Sequence, residues 1–219
     1  MAIKNKPEHD PISDNAIVDA YMRWALMAAE EVAGKSGLAI VLKQSGLETF
    51  VDNYPAEELR VSGKVNFGQY ANLSAGLFDF FGRAGKSMTL RIGRLSAKYA
   101  IEKQSALFGL GALVASKILP LPTQIKMGLE AMQSGFRKLY GEALHVRLED
   151  RGDKFAYIDE ACATCAGKQA DAVMCYAFTG ALHEALQWQT GKILDIVEVE
   201  CRALGAPACV WEISKTPKE

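Results

Sequence analysis

The chain has 219 residues, 49% of them apolar and 23% charged, with a formal net charge of −1 at pH 7. That length buries a substantial core without covalent staples. The near-neutral balance supplies no long-range field for nucleic acid or for an acidic membrane surface, so no nucleic-acid partner is expected.

The amino terminus shows no basic stretch leading into an apolar segment and a cleavage site, so no secretory leader is expected. The longest apolar run, residues 106–114 ("ALFGLGALV"), stops too soon to span a bilayer. A cytoplasmic location follows as the expectation. In a reducing compartment five cysteines do not make a disulfide framework, and an odd number suits one poorly.

Taken in chain order, "KPEHDPISD" reads as part of a flexible polar tail over residues 1–14. Apolar residues then recur at helical spacing over residues 15–34 (Ile17, Tyr21, Trp24, Leu26, Ala29), with Asp14 or Asn15 as cap and Gly34 as stop. A short helix over 38–45 ends at Gly46. The segment "NYPAEELRVSGKVNF" reads as loop. Helical signal returns over 67–82, and a long helix runs from Lys86 towards Ser116. "LPLPT" breaks the chain at Pro120 and Pro122, and Thr123 can cap a further helix to Leu139.

Near Ala143 the period changes from helical to alternating. "LHVRLED" and "KFAYIDE" flank the turn "RGD" and predict a hairpin. A loop with Cys162 and Cys165 follows, then a helix over 171–188. "KILDIVEVEC" and "ACVWEIS" predict a second pair of strands around a Gly-Pro turn. The order is helices followed by ββ-α-ββ: an α+β fold with helices packed on a small antiparallel sheet. Residues 15–219 read as one domain, with a mainly helical part at 15–142 and a ββ-α-ββ core at 143–214.

"FFGRAGKSM" contains Gly82, Gly85, Lys86 and Ser87, but Phe80 stands where a phosphate-binding loop needs its first glycine, and helical pattern flanks it on both sides. It reads as a break between helices. His9, His145 and His183 lie in no recognisable nucleophile context, and no catalytic residue is assigned. Arg91 and Arg94, three apart on one helix face, are candidate contacts for an anionic group, with ion pairing as the plainer reading.

All five cysteines, Cys162, Cys165, Cys175, Cys201 and Cys209, fall in the last third. The C-A-T-C pair sits in an antiparallel context, which weakens a thioredoxin-like redox reading. A turn between paired strands can bring Cys201 and Cys209 together for a tetrahedral zinc ion. Glu198 can join them if the strand breaks before Cys201. Two ligand sets are open: Cys162/Cys165 with Cys201/Cys209, or Cys175/Glu198/Cys201/Cys209. Buried free thiols packing as small hydrophobes are the alternative to both.

The strings "C-x-x-C-A-G…C-Y-A-F-T-G-A-L" and "E-V-E-C-R-A-L-G-A-P-A-C-V-W-E-I" resemble the 4-vinyl-reductase-type domain family. The match is strongest over 143–214 and looser back through "FGRAGKSMTLRIGRLSAKYAIE". That family includes bacteriochlorophyll-pathway proteins, archaeal hydrocarbon-binding proteins and the sensor domains of aromatic-responsive activators. The resemblance implies a fold like that of transport-particle (TRAPP) subunits, and a homodimer. It also implies a zinc site which, by position, is Cys175, Glu198, Cys201 and Cys209, with Cys162 and Cys165 as alternative ligands. A pocket for an aromatic, tetrapyrrole or hydrocarbon-like molecule is implied between the long helices and the sheet. Sensor or carrier function ranks first. Tetrapyrrole 4-vinyl reduction needs a hydride or electron source, and no dinucleotide fingerprint is present. A regulatory subunit with a protein partner is the third reading.

Overall fold

The computed structural model describes residues 1–103, 116–141 and 145–218. The apolar run at 106–114 and the carboxy-terminal end of the long helix expected from Lys86 lie outside them.

Helix α1 (Asp19–Gln44) is one element in outline, but Gly34 interrupts it at φ 73° and ψ 160°. The stop expected at Gly34 and the second helix after it are therefore both present. Only glycine takes that positive φ without a Cβ clash, and the chain resumes its helix beyond the kink. The start differs from the expected cap. Asp14 closes a 3-10 turn, Pro11–Asp14, and Ala16 forms an isolated bridge with Asn66 before α1 begins. Helix α2 (Phe67–Phe81) opens with a reciprocal cap: Gln69 N–H donates to Asn66 Oδ1 at 2.9 Å, and Asn66 N–H to Gln69 Oε1 at 3.0 Å.

Helix α3 (Gly85–Lys103) follows after a single 3-10 turn at Gly82–Ala84. The glycine-lysine-serine segment is thus a helix–helix junction, as its flanks implied. Helix α4 (Leu121–Tyr140) starts on Pro120, with Pro122 in its first turn where a missing N–H costs nothing. Helix α5 (Tyr176–Thr190) starts five residues later than expected, with Cys175 as its N-cap.

The hairpin β2 (Val146–Asp150) and β3 (Lys154–Asp159) turns at Gly152, φ 80°. β5 (Leu194–Glu200) and β6 (Cys209–Pro217) form the second hairpin. The two join through β3 and β6 into an antiparallel sheet ordered β2-β3-β6-β5, with Tyr157 opposite Trp211 and Asp159 opposite Cys209. The mixed helix and antiparallel-sheet expectation is met.

The amino-terminal segment corrects the expectation of a tail. β1 (Ile3–Asn5) pairs with β4 (Lys168–Ala170), a two-stranded ribbon that the residue pattern does not announce. Lys168 is buried and donates to Asn5 at 2.6 Å and to Asn72 of α2. Asp10 is 7% exposed and accepts from Lys6, Arg202 and the Gly167 N–H. These bonds tie residues 1–14 to the two loops that carry cysteines.

Helix α5 covers the inner face of the sheet. Trp211 Nε1 donates to Thr179 Oγ1 at 2.9 Å, and Phe178 packs edge-on against Trp211. Helix α3 lies across α5 at very short range. A Cβ on Gly93 would fall 1.9 Å from the Ala177 carbonyl oxygen, and one on Gly180 would fall 2.1 Å from that of Leu90. Small residues at both crossing points let the backbones touch.

Candidate metal centre and adjoining cavity

β5 alternates in burial, so Leu194, Ile196 and Glu198 face inward while Asp195 and Val197 face out. Glu198 is therefore placed among apolar side chains by the same period that builds the core. In an unbroken strand Cys201, three residues on, would point to the opposite face. A register irregularity between Glu198 and Glu200 shifts that parity, and Cys201 turns to the same side. Cys209 begins β6, and Cys175 caps α5 beneath both strand ends.

All five cysteines are at most 2% exposed and none is in a disulfide. Cys175 Sγ lies 3.8 Å from both Cys201 Sγ and Cys209 Sγ, which are 4.0 Å apart. A zinc–sulfur bond of about 2.3 Å sets the edge of a tetrahedron of thiolates near 3.8 Å. Three of the four expected ligands therefore already form a face of that size. Glu198 completes the set, its ligand oxygen and the three sulfurs lying within 4.8 Å of one another. Its Oε2 accepts the Cys175 N–H at 2.9 Å, whereas Oε1 is buried with no hydrogen-bond partner. This donor set fits zinc.

Electrostatics point the same way. Burial, reinforced by Cys201 and Cys162, pushes the Glu198 carboxyl up to about 9. Burial also pushes the Cys175 thiol well above its ordinary range. A cation among them reverses the balance, because thiolate and carboxylate are the binding forms.

Cys162 and Cys165 flank a 3-10 turn, Ala163–Cys165, that folds back onto the same cluster. Cys162 Sγ is 3.7 Å from Cys175 Sγ, and Cys165 Sγ is 3.4 Å from Cys209 Sγ. The second compact group is Cys162, Cys165, Cys175 and Cys209. The set paired from the sequence, Cys162/Cys165 with Cys201/Cys209, is not the one assembled, because Cys175 sits between the two loops.

A cavity of about 210 Å³ lies next to the cluster, between α1–α4 on one side and β3 with α5 on the other. Tyr21, Trp24, Tyr70, Phe136 and Phe178 contribute aromatic wall, and Cys162 belongs to both the wall and the cluster. The polar groups on the wall include Asp159, Thr164 and Gln189. His145 lines it from an exposed position just before β2. His9 pairs with Asp14 at the surface, and His183 on α5 is absent from the wall.

Arg94 does not serve an anion. It is held by Glu184 of α5 at 2.9 Å and by Gln187 at 2.6 Å, so it braces the α3–α5 crossing. Arg91, one turn back, is exposed.

Residues 157–215 match the family model of the 4-vinyl-reductase (4VR) domain. The matched region spans β3, the Cys162–Cys165 turn, α5 and the second hairpin, and so contains every ligand candidate. No curated protein matches the chain in sequence. Solved structures with the same overall fold are H-NOX domains. A variant of T. tengcongensis H-NOX aligns at TM-score 0.60 and 14% identity, over 92% of this chain and 99% of that one. An oxygen-binding H-NOX domain related to soluble guanylate cyclases aligns at 0.56 and 15%, over 92% and 96%. An S. oneidensis H-NOX protein in the Fe(II)NO ligation state aligns at 0.52 and 14%, over 88% and 98%. The architecture around the matched region is thus H-NOX-like, where the sequence led to the expectation of a transport-particle-subunit fold. No helix among the described residues is long and apolar enough to cross a membrane.

Proposed function

We propose that this protein binds a small aromatic or hydrocarbon-like molecule, as a sensor or carrier, in the cavity between its helices and β3. A structural zinc ion on Cys175, Glu198, Cys201 and Cys209 holds the wall in place. The aromatic-lined cavity, sharing Cys162 with the cysteine cluster, carries this reading. Four protein ligands close a zinc site, so the ion would tie the start of α5 to both strands of the second hairpin. The match to the 4-vinyl-reductase domain supports a ligand-binding role. So does the likeness in fold to H-NOX domains, one of them oxygen-binding and another ligated by NO.

Size points to the ligand class. An apolar cavity of about 150 Å³ accommodates benzene, so about 210 Å³ suits a one- or two-ring molecule. The few polar groups on the wall can orient it. A related H-NOX structure concerns heme distortion, but these residues do not fit a heme held by a buried imidazole. The only histidine among the wall residues, His145, is exposed, and the space is small for four pyrrole rings. The test is extraction of the purified protein for mass spectrometry, followed by titration with phenols, bicyclic aromatics and heme. Saturable binding of one- or two-ring compounds supports the proposal. Absence of binding across the panel moves the function to a protein partner.

A further inference from the structure

The two candidate ligand sets overlap. Cys175 and Cys209 belong to both, while Glu198 and Cys201 lie on one side and Cys162 and Cys165 on the other. The shared edge, Cys175 Sγ to Cys209 Sγ, is 3.8 Å. The remaining sulfur separations within the sets run from 3.4 Å (Cys165–Cys209) to 4.0 Å (Cys201–Cys209). These are tetrahedron edges for a metal–sulfur bond of about 2.3 Å. Two tetrahedra that share an edge describe two metal ions joined by two bridging ligands.

We propose that the cluster is a binuclear zinc centre. One ion takes Glu198, Cys201, Cys175 and Cys209; the other takes Cys162, Cys165, Cys175 and Cys209; the Cys175 and Cys209 thiolates bridge them. This extends the zinc reading above and rests on it.

Charge favours the second ion once the first is bound. Three thiolates and a carboxylate around one Zn²⁺ leave a net charge of about −2, with Cys162 and Cys165 still protonated. Binding of a second Zn²⁺ displaces those two thiol protons to solvent. Two positive charges enter and two negative charges appear, so the buried net charge stays about −2. No oxidant or reductant is required.

With a single ion, whichever set is chosen, two buried donors are left over beside it. If the ion sits on the four-cysteine set, Glu198 Oε1 keeps no partner. If it sits on the other set, Cys162 and Cys165 remain as thiols 3.7 and 3.4 Å from metal-bound sulfurs. Two ions use all six groups. The Arg202 N–H donates to Cys209 Sγ at 3.4 Å, and this dipole offsets part of the residual charge on one bridge.

The experiment is metal analysis of the full chain purified under reducing conditions with added zinc, and ¹¹³Cd NMR after exchange. The expected result is two zinc ions per chain and two cadmium resonances, each split by the other through the shared thiolates. Substitution of both Cys162→Ser and Cys165→Ser should leave one ion and one unsplit resonance. One zinc per chain in the unaltered protein, or two resonances without mutual splitting, overturns the binuclear centre but keeps the single-site reading. No bound zinc overturns both. The unaltered protein decides the matter even if the double variant does not fold.

Discussion

The Cys175 backbone N–H donates to Glu198 Oε2 at 2.9 Å, while Glu198 Oε1 stays buried with no hydrogen-bond partner. A carboxyl that uses one oxygen for a helix N-cap and presents the other to three cysteines is shaped as a ligand. Buried acids otherwise satisfy both oxygens, because an orphaned acceptor costs roughly 1–3 kcal/mol.

Glu198→Gln tests that role. The amide oxygen can still accept the Cys175 N–H, so the fold is expected to persist, but the anionic donor is lost. Zinc affinity should fall at least about tenfold, read by competition with a chromogenic chelator. Glu200→Gln, at an exposed position two residues on, should leave affinity unchanged. Equal affinity for all three proteins would remove Glu198 from the site.

The amino-terminal anchor gives a pH prediction. Burial alone would raise the Asp10 carboxyl, but bonds from Lys6, the Gly167 N–H, Arg202 and the Ile12 N–H outweigh it and hold the group at about 2. A folded-state value below the unfolded 3.8 means stability that is present above about pH 4 and lost as pH falls through about 2. The contribution is roughly 2 kcal/mol. Urea unfolding should therefore separate Asp10→Asn from the unaltered protein at pH 7, and the gap should close on acidification towards pH 2. A gap independent of pH would show that the ion pairs carry none of it.

Close helix crossing should be intolerant of one methyl group. Gly93→Ala drives a Cβ against the Ala177 carbonyl, and Gly180→Ala does the same against Leu90. Each should cost about 1–3 kcal/mol in unfolding free energy, since backbone atoms cannot swing aside as a flexible side chain can. Unchanged denaturation midpoints would mean that α3 and α5 sit further apart in solution.

Filling the cavity should separate binding from folding. Ala181→Leu adds apolar volume to a wall residue of α5. It should weaken binding of a one- or two-ring aromatic at least about tenfold, measured by titration calorimetry, with a small change in melting temperature. Undiminished binding would place the ligand elsewhere.

Much of this architecture is written in local periodicity. The inward alternation of Leu194, Ile196 and Glu198, the Gly34 kink and the turn at Gly152 all follow from residue types at fixed spacing. The β1–β4 ribbon is not legible in that way, because each strand has three residues and its partner lies in a distant part of the chain (Ile3 with Ala170). Nor does spacing show that the Cys162–Cys165 turn folds onto Cys175 and Cys209. That depends on where a loop lands, and Asp10 and Lys168 help to fix its neighbourhood from elements distant in sequence. The role of Arg94 escapes a helix-face reading because its partner Glu184 lies on α5, outside its own helix.

X-ray absorption at the zinc edge, on protein purified under reducing conditions with zinc supplied, bears most immediately on the metal assignment. Retained zinc is expected, with a sulfur-dominated shell at about 2.3 Å and a minor oxygen contribution near about 2.0–2.2 Å. Protein that retains no zinc, or zinc in a shell of nitrogen and oxygen only, would contradict it.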